Sequence, residues 1–328
     1  MSNSLQYLIR RLGFYSIAAW AALTLNFFIP RLMPGDPAAI IFARFRGKLT
    51  PEAMIALRET FGLTDGPLLL QYFSYIKSMF KGDLGVSIAY FPEPVAHIIS
   101  TGLLWTIFLA GTSLVISFII GTLLGAIISW KRGGRLDSFL PPSLAFIGAF
   151  PYFWLAMLSL YIFGFKLEWF PLRHAYSDDV TFGLNIPFIF SSIYHAILPA
   201  TTMILVSLGG WMLSMRNTML TTLGSDYITL ARAKGLSSWV VMLKYAARNA
   251  ILPNFTGFGM ALGFVLSGAL LTEIIFSYPG QGYLLLQAVR SQDFPLMQGL
   301  FMTITLAVLA ANWFVDIAIL FLDPRTRK

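Results

Sequence analysis

Cysteine is absent from the 328 residues of this sequence and histidine occurs only three times, which excludes several kinds of site at once. Without cysteine there is no disulfide, no thiolate metal ligand and no thiol nucleophile. Three histidines leave little for a histidine-based metal site. No glycine-rich stretch ends in Gly-Lys-Ser or Gly-Lys-Thr, so the chain lacks a Walker-type nucleotide loop. The sequence therefore predicts no catalytic residue and no metal or cofactor bound by this chain.

Charge is also scarce, since 12% of the residues are charged whereas 57% are hydrophobic. Soluble domains carry about 25% charged residues, so a soluble protein of this length would lack an adequate ionic surface. Intrinsic disorder is excluded because disordered chains have low hydrophobicity. The composition predicts an all-α protein that crosses a membrane several times.

Six stretches are apolar enough to cross a hydrocarbon core, which takes about 20 helical residues. They are 12–33, 103–130, 139–163, 196–215, 255–276 and 299–322. The first resembles a signal peptide because Arg10 and Arg11 precede it. Its apolar run is too long for one, so we favour an uncleaved span.

Basic residues are unevenly distributed between the two sets of connecting segments. Segments 1–11, 131–138, 216–253 and 323–328 together hold 13 lysines and arginines against three acidic residues. The opposite set, at 34–100, 164–195 and 277–298, holds nine basic and ten acidic residues. Cytoplasmic segments are enriched in basic residues, so both termini are predicted to be cytoplasmic. The formal charge of +8 thus reports orientation and does not indicate a nucleic-acid partner.

The chain divides by this pattern into three parts: 1–33, an outer loop at 34–100, and a five-helix core at 101–328 with a cytoplasmic loop at 216–253. The outer loop opens on a Pro-Gly-Asp-Pro turn and contains a helix start at 50–52 and an amphipathic stretch at 68–80. Two interpretations stay open for it. It is an interfacial hairpin packed on the spans, or a cap that receives a partner and shapes an outer gate.

Two pairs of glycines lie four residues apart within predicted spans. They are Gly121 with Gly125 and Gly259 with Gly263. Small residues at this spacing allow helices in lipid to approach closely, so both pairs are candidates for helix packing. Glycine is common in transmembrane helices, and the spacing alone identifies no partner.

The cytoplasmic loop contains the most informative pattern. Ser225 or Asp226 is a suitable N-cap for a short helix that ends at Gly235, where a left-handed residue costs least. Its small residues, Ala231 and Ala233, would permit close docking on another protein. A second helix is predicted to run from 237 to 249 and to stop before Pro253. The residues alone favour a basic interfacial helix over a docking helix.

The loop resembles the EAA loop of ABC importer permeases, and more closely the dipeptide, oligopeptide and nickel type. The shared motifs are Asp226-Tyr227, Ala231 to Gly235, Arg248-Asn249-Ala250 and Leu252-Pro253. Further matches are Pro-Gly-Asp-Pro at 34–37, Gly-Asp-Leu-Gly at 82–85, Pro279-Gly280 after Glu273, and the final Asp-Pro-Arg at 323–325. The sequence departs from the pattern at Tyr245, commonly a histidine, and at Tyr283, often a basic residue. These departures bear on the subfamily and substrate.

The resemblance implies a type I ABC importer permease in a bacterial or archaeal plasma membrane. Its partners would be a second permease subunit (a related chain is favoured), two cytoplasmic ATPases that bind ATP and magnesium, an extracytoplasmic solute-binding protein, and membrane lipid. The segment 226–235 would be the coupling helix that transmits ATPase closure to the spans. The residues assigned to coupling are Asp226, Tyr227, Ala231, Arg232, Ala233, Lys234, Gly235, Arg248, Asn249 and Pro253.

Several assignments stay open. The cations Arg232, Lys234 and Arg248 either contact a partner or lipid headgroups, or only anchor the loop. Buried acids in spans are functional candidates by default, but we favour helix contacts for Glu273 and Asp316.

The substrate is a peptide or a related solute, such as a nickel complex or an oligosaccharide. An ion-coupled secondary transporter is the main alternative, although the spans carry few ionisable groups for a proton or ion relay. An intramembrane enzyme would need polar residues that converge inside the bilayer.

Overall fold

The computed structural model describes residues 3–32, 67–265 and 270–322. Apart from one isolated antiparallel bridge between Val86 and Pro94, these residues form no strand, which confirms the prediction of a helical protein. The helices in chain order are α1 (Asn3–Leu32), α2 (Leu68–Lys81), α3 (Val95–Thr106), α4 (Thr112–Trp130), α5 (Arg135–Gly148), α6 (Tyr152–Ser159), α7 (Ile186–Leu223), α8 (Asp226–Ala233), α9 (Ser238–Val240), α10 (Arg248–Val265), α11 (Leu270–Ile275), α12 (Gln281–Arg290) and α13 (Phe294–Leu322). Three π-helical segments extend this framework, at Ile107–Gly111, Leu160–Lys166 and Val241–Ala247.

Four described segments are long and apolar enough to cross a membrane. They are Ile9–Ile29, Val95–Trp130, Ile186–Leu223 and Phe294–Phe314. The pair Arg135–Gly148 and Tyr152–Lys166, bent by 93°, adds a fifth if it forms one span. The predicted span 255–276 is divided between α10 and α11, and residues 266–269 between them lie outside the described ranges. The count of six spans therefore stays a prediction.

The amphipathic stretch of the outer loop is confirmed as helix α2, which ends at a left-handed Gly82 (φ 72°). The two other patterns predicted in this loop, at 34–37 and 50–52, lie outside the described residues, as does the terminal motif at 323–325.

The described residues form two compact units, of which the first comprises 3–32, 67–106, 270 and 279–322. Here α1 lies along α13 and is tied to it by polar side chains. The Tyr15 hydroxyl donates to the Asp316 carboxylate at 2.6 Å, and the Arg11 guanidinium lies 3.3 Å from the same carboxylate. Further along α1, the Asn26 amide donates to the Gln298 carbonyl at 2.7 Å. Asp316 thus makes the helix contact that the sequence favoured for it.

A buried carboxylate caps the start of α13 in the same unit. Asp293 is fully buried and accepts hydrogen bonds from the Leu296 amide at 3.1 Å, the Ala89 amide at 2.8 Å and the Ser87 hydroxyl. Buried charges are stable only when they are satisfied in this way. Asp293 therefore fixes the 86–94 loop against the first turn of α13.

The second unit comprises 107–265 and 271–278, and its most extensive helix contact is between α4 and α7. A Cβ atom added at Gly121 would lie 2.6 Å from the Trp211 Cβ and 2.9 Å from the Leu208 carbonyl oxygen. One added at Gly125 would lie 2.5 Å from the Met212 carbonyl oxygen. Such distances are shorter than side-chain contacts allow, so α4 approaches the backbone of α7 at a separation that only glycine permits.

Helix α10 of the same unit corrects one sequence prediction. The second helix of the cytoplasmic loop was expected to stop before Pro253, but α10 continues through Pro253 to Val265. Proline removes one backbone donor from a helix and clashes with the preceding turn. The helix continues because each residue after Pro253 adds its own backbone hydrogen bond to a helix that has already formed, and these bonds outweigh the one that proline removes.

Candidate functional site

The predicted coupling helix is present as α8, and its start is set by local sequence. Gly224 and Ser225 separate it from α7. Ser225 occupies the N-cap position with an extended backbone (φ −80°, ψ 149°), and its carbonyl accepts the Ile228 amide at 3.0 Å. Its side chain makes no capping hydrogen bond. Asp226 lies in the first turn, where a negative charge is favourable beside the positive end of the helix dipole.

The end of α8 is a Schellman motif centred on Gly235. The Gly235 amide donates to the Arg232 carbonyl at 2.9 Å, and the Leu236 amide donates to the Ala231 carbonyl at 3.4 Å. Gly235 has φ of 73°, a left-handed conformation that glycine adopts without a Cβ penalty. The predicted stop at Gly235 is therefore correct in position and in mechanism.

One face of α8 is buried in this chain's own core. Ile228 is fully buried and Ala231 is 3% exposed. The core that they enter combines residues from the ends of α4 and α7 with residues from the π-helical segment 241–247 and α10; its members are Ala126, Met215, Met219, Ile228, Ala231, Val241, Met242, Ala246 and Ala250. Ala231 therefore does not face a partner, contrary to the sequence-based interpretation. Its small size is explained by packing inside the unit.

The opposite face of α8 is open. Asp226, Leu230 and Ala233 are exposed and recur at i, i+4 and i+7, so they share one side of the helix. Leu230 is 57% exposed. Tyr227 lies at the edge of this face, where its hydroxyl accepts a hydrogen bond from the Asn249 amide at 3.1 Å. We call this open side, comprising Asp226, Leu230 and Ala233, the outer face of α8.

Trp130 and Leu230 were not singled out by the sequence. Trp130 ends α4 and lies under Arg232, whose guanidinium carbon is 5.3 Å from the indole centroid. Lys234 and Arg248 are exposed, as is Pro253 within α10. The i, i+4 and i+7 spacing of Asp226, Leu230 and Ala233 could have indicated the outer face, but no local signal links Arg232 to Trp130.

An ion pair holds the neighbouring turn after α4. The Arg216 guanidinium of α7 donates to the Asp137 carboxylate at 2.7 Å, and the same carboxylate accepts the Gly133 amide at 3.0 Å. Both side chains are mostly buried, so solvent and salt screen their attraction less than that of an exposed ion pair. The loop between α4 and α5 is thus fixed to the end of the helix that leads into α8.

The remaining predicted packing residues lie in α10. Gly259 and Gly263 are one turn apart there, and Gly263 is buried. Within the described ranges no group of three histidine, aspartate or glutamate residues could hold a metal ion.

Comparison with known proteins places this geometry in context. Residues 117–328 match the family model described as binding-protein-dependent transport system inner membrane component. The probable D,D-dipeptide transport system permease protein of Escherichia coli is 35% identical over 92% of this chain and 91% of its own length. The dipeptide transport system permease protein of Alkalihalophilus pseudofirmus and the di/tripeptide transport system permease protein of Pseudomonas aeruginosa are each 32% identical over 98% of this chain and 99% of their own.

Proposed function

This chain belongs to the family of inner membrane components of binding-protein-dependent transport systems, and on that premise we propose that it couples ATP use by partner ATPases to peptide uptake through α8. It is a multi-pass membrane protein and the permease subunit of an ABC transporter. The observation that carries the proposal is that α8 is buried on one side only, with Ile228 and Ala231 in the chain's own core and the outer face open.

The outer face of α8 is suited to a groove on an ATPase. Ala233 presents only a methyl group, which allows close approach, and Leu230 provides apolar surface to bury. Because Ile228 and Ala231 are packed against residues from α4, α7 and α10, a force applied to α8 is transmitted to three long helices together. Movement of the ATPases would then reorient these helices as a body between two arrangements.

The rest of the proposed assembly follows the family. The complete transporter would contain a second permease subunit, favoured as a related chain, two ATPases that bind ATP and magnesium, and an extracytoplasmic solute-binding protein. This permease would cross the membrane six times with both termini in the cytoplasm, as the excess of basic residues in 1–11, 131–138, 216–253 and 323–328 indicates.

The proposed substrate is a short peptide. The three relatives described above are named for D,D-dipeptide, dipeptide and di/tripeptide transport, and they align along nearly the whole of this chain. Peptides therefore take precedence over the nickel complexes and oligosaccharides that the resemblance also allows.

A test of the coupling role replaces Ala233 in the assembled transporter. Ala233→Glu places a bulky charge on the outer face of α8 and leaves the core untouched, so we expect ATPase co-purification to fall at least about tenfold. ATP-dependent uptake of labelled dialanine into vesicles should fall with it. Ala233→Ser is the matched control, because it keeps the small volume and should retain both properties. Normal ATPase retention and uptake in Ala233→Glu would contradict the assignment of α8.

A further inference from the structure

Arg232 leaves α8 on a different side from the outer face. Arg232 is two residues after Leu230, and at about 100° of rotation per residue their side chains leave the helix about 160° apart. Its guanidinium carbon lies 5.3 Å from the ring centroid of Trp130, and no carboxylate of the described residues forms an ion pair with it. The contact that the structure shows for this cation is an aromatic ring of its own chain.

The chemistry of the pair is favourable. A guanidinium within about 6 Å of an indole centroid is attracted to the negative face of the ring, and the planar group can also stack on it. Trp130 is half-buried and packs against the core that holds Ile228 and Ala231, so this packing restrains its side chain. Because Trp130 is the last residue of α4, its ring gives Arg232 a contact at the end of that helix.

The helix needs such a contact because it is short. α8 has eight residues, and isolated helices below about 12–15 residues are marginal in water. Ile228 supplies most of its buried side-chain surface, since Ala231 contributes one methyl group. With Ile228 as its one large buried side chain, α8 would be only weakly restrained against rotation about its own axis. A second contact, from Arg232 on another side of the helix, would fix that rotation.

We propose that Arg232 and Trp130 form a cation–π clamp that fixes the orientation of α8 on the end of α4. Arg232 is then a positioning residue that acts through Trp130, and the outer face of α8 is presented to the partner at a defined angle. The inference rests on the proposed function only in naming the ATPase as that partner, since the clamp itself lies within this chain.

The test exploits the absence of cysteine. A nitroxide attached to Leu230→Cys in the full chain in detergent reports the mobility of α8 with no competing thiol. Arg232→Met and Trp130→Leu should each raise the mobile fraction about two- to fivefold, which corresponds to the loss of a cation–π contact. The double variant should show no further increase, because either change already breaks the clamp. Arg232→Lys keeps a cation over the ring and should restore part of the order.

Two results would overturn the clamp: unchanged nitroxide mobility in Arg232→Met, or effects of the two single changes that simply add. Mobility is measured without ATPase, so it is independent of whether Ala233→Glu uncouples the transporter. In the assembled transporter, Arg232→Met should lower ATPase retention when Trp130 is present. In a protein that already carries Trp130→Leu, adding Arg232→Met should lower ATPase retention no further. A full additional loss in the second background would show that Arg232 contacts the partner directly.

Discussion

The two units hold their long helices together by opposite means. In the second unit, Gly121 and Gly125 bring α4 against the backbone of α7, and the contact depends on the absence of side-chain volume. In the first unit, α1 is attached to α13 by side chains that cross between them, with Asp316 accepting from Tyr15 and pairing with Arg11.

This difference reflects the two forces available to helices in lipid. Lipid tails are as apolar as leucine, so association depends on close van der Waals packing or on interhelical hydrogen bonds. Packing through glycine is sensitive to any added atom, because the backbone opposite cannot move aside. A polar tie tolerates small changes in shape but is sensitive to the loss of one charged or hydrogen-bonding group. The two contacts should therefore fail under different substitutions.

The largest expected effect comes from adding volume at Gly125. In Gly125→Val the new Cβ would meet the Met212 carbonyl oxygen at 2.5 Å and the Met215 Cβ at 2.7 Å. We expect a loss of about 1–3 kcal/mol in the free energy of unfolding, or more if the helices separate. Maleimide labelling of a Met212→Cys reporter under increasing denaturant would measure it, since this side chain is fully buried.

Gly210→Ala is the matched control for that substitution. Gly210 lies on α7, and among the described residues no atom beyond its own helical turns comes within 4 Å of an added Cβ, so alanine should leave the contact intact. Its higher helix propensity should stabilise α7 by up to about 1 kcal/mol. Equal destabilisation by Gly125→Val and Gly210→Ala would show that proximity to α7 is not the cause.

An intermediate effect is expected from removing the charge at Asp316. Asp316→Leu deletes the acceptor for Tyr15 and the partner of Arg11, and a polar contact between membrane helices is worth about 1.7 kcal/mol at most. A Met297→Cys reporter, buried in the first unit, should become labelled at lower denaturant concentration. The labelling midpoint of the Met212→Cys reporter in the second unit should shift less. A larger shift there would show that the contacts of Asp316 with Tyr15 and Arg11 do not stabilise the first unit in particular.

The smallest effect is expected from Tyr15→Phe. This change removes one hydroxyl and leaves the Arg11–Asp316 pair in place at 3.3 Å. Interhelical hydrogen bonds in membranes average about 0.6 kcal/mol, so the labelling midpoint of Met297→Cys should shift only slightly. A shift as large as that of Asp316→Leu would mean that the tyrosine, and not the ion pair, carries the contact.

Family membership was predictable from short motifs because several occur in the right order, and the comparisons confirm it. The limits of α8 were predictable for a different reason. Ser225 and Gly235 act through the backbone of their own turns, so the helix can be read from about ten consecutive residues. The stop before Pro253 failed because the surrounding apolar helix outweighs the proline.

The sequence by itself determined the helical membrane class, the family and the start and end of α8, since composition, ordered motifs and helix caps are local properties. Only the tertiary structure decided that Ala231 faces inward, that Arg232 lies over Trp130, and that Tyr15 meets Asp316 across 301 residues. Each of these depends on which helix lies beside which. That neighbour is chosen by packing among distant segments and is not encoded within any one of them.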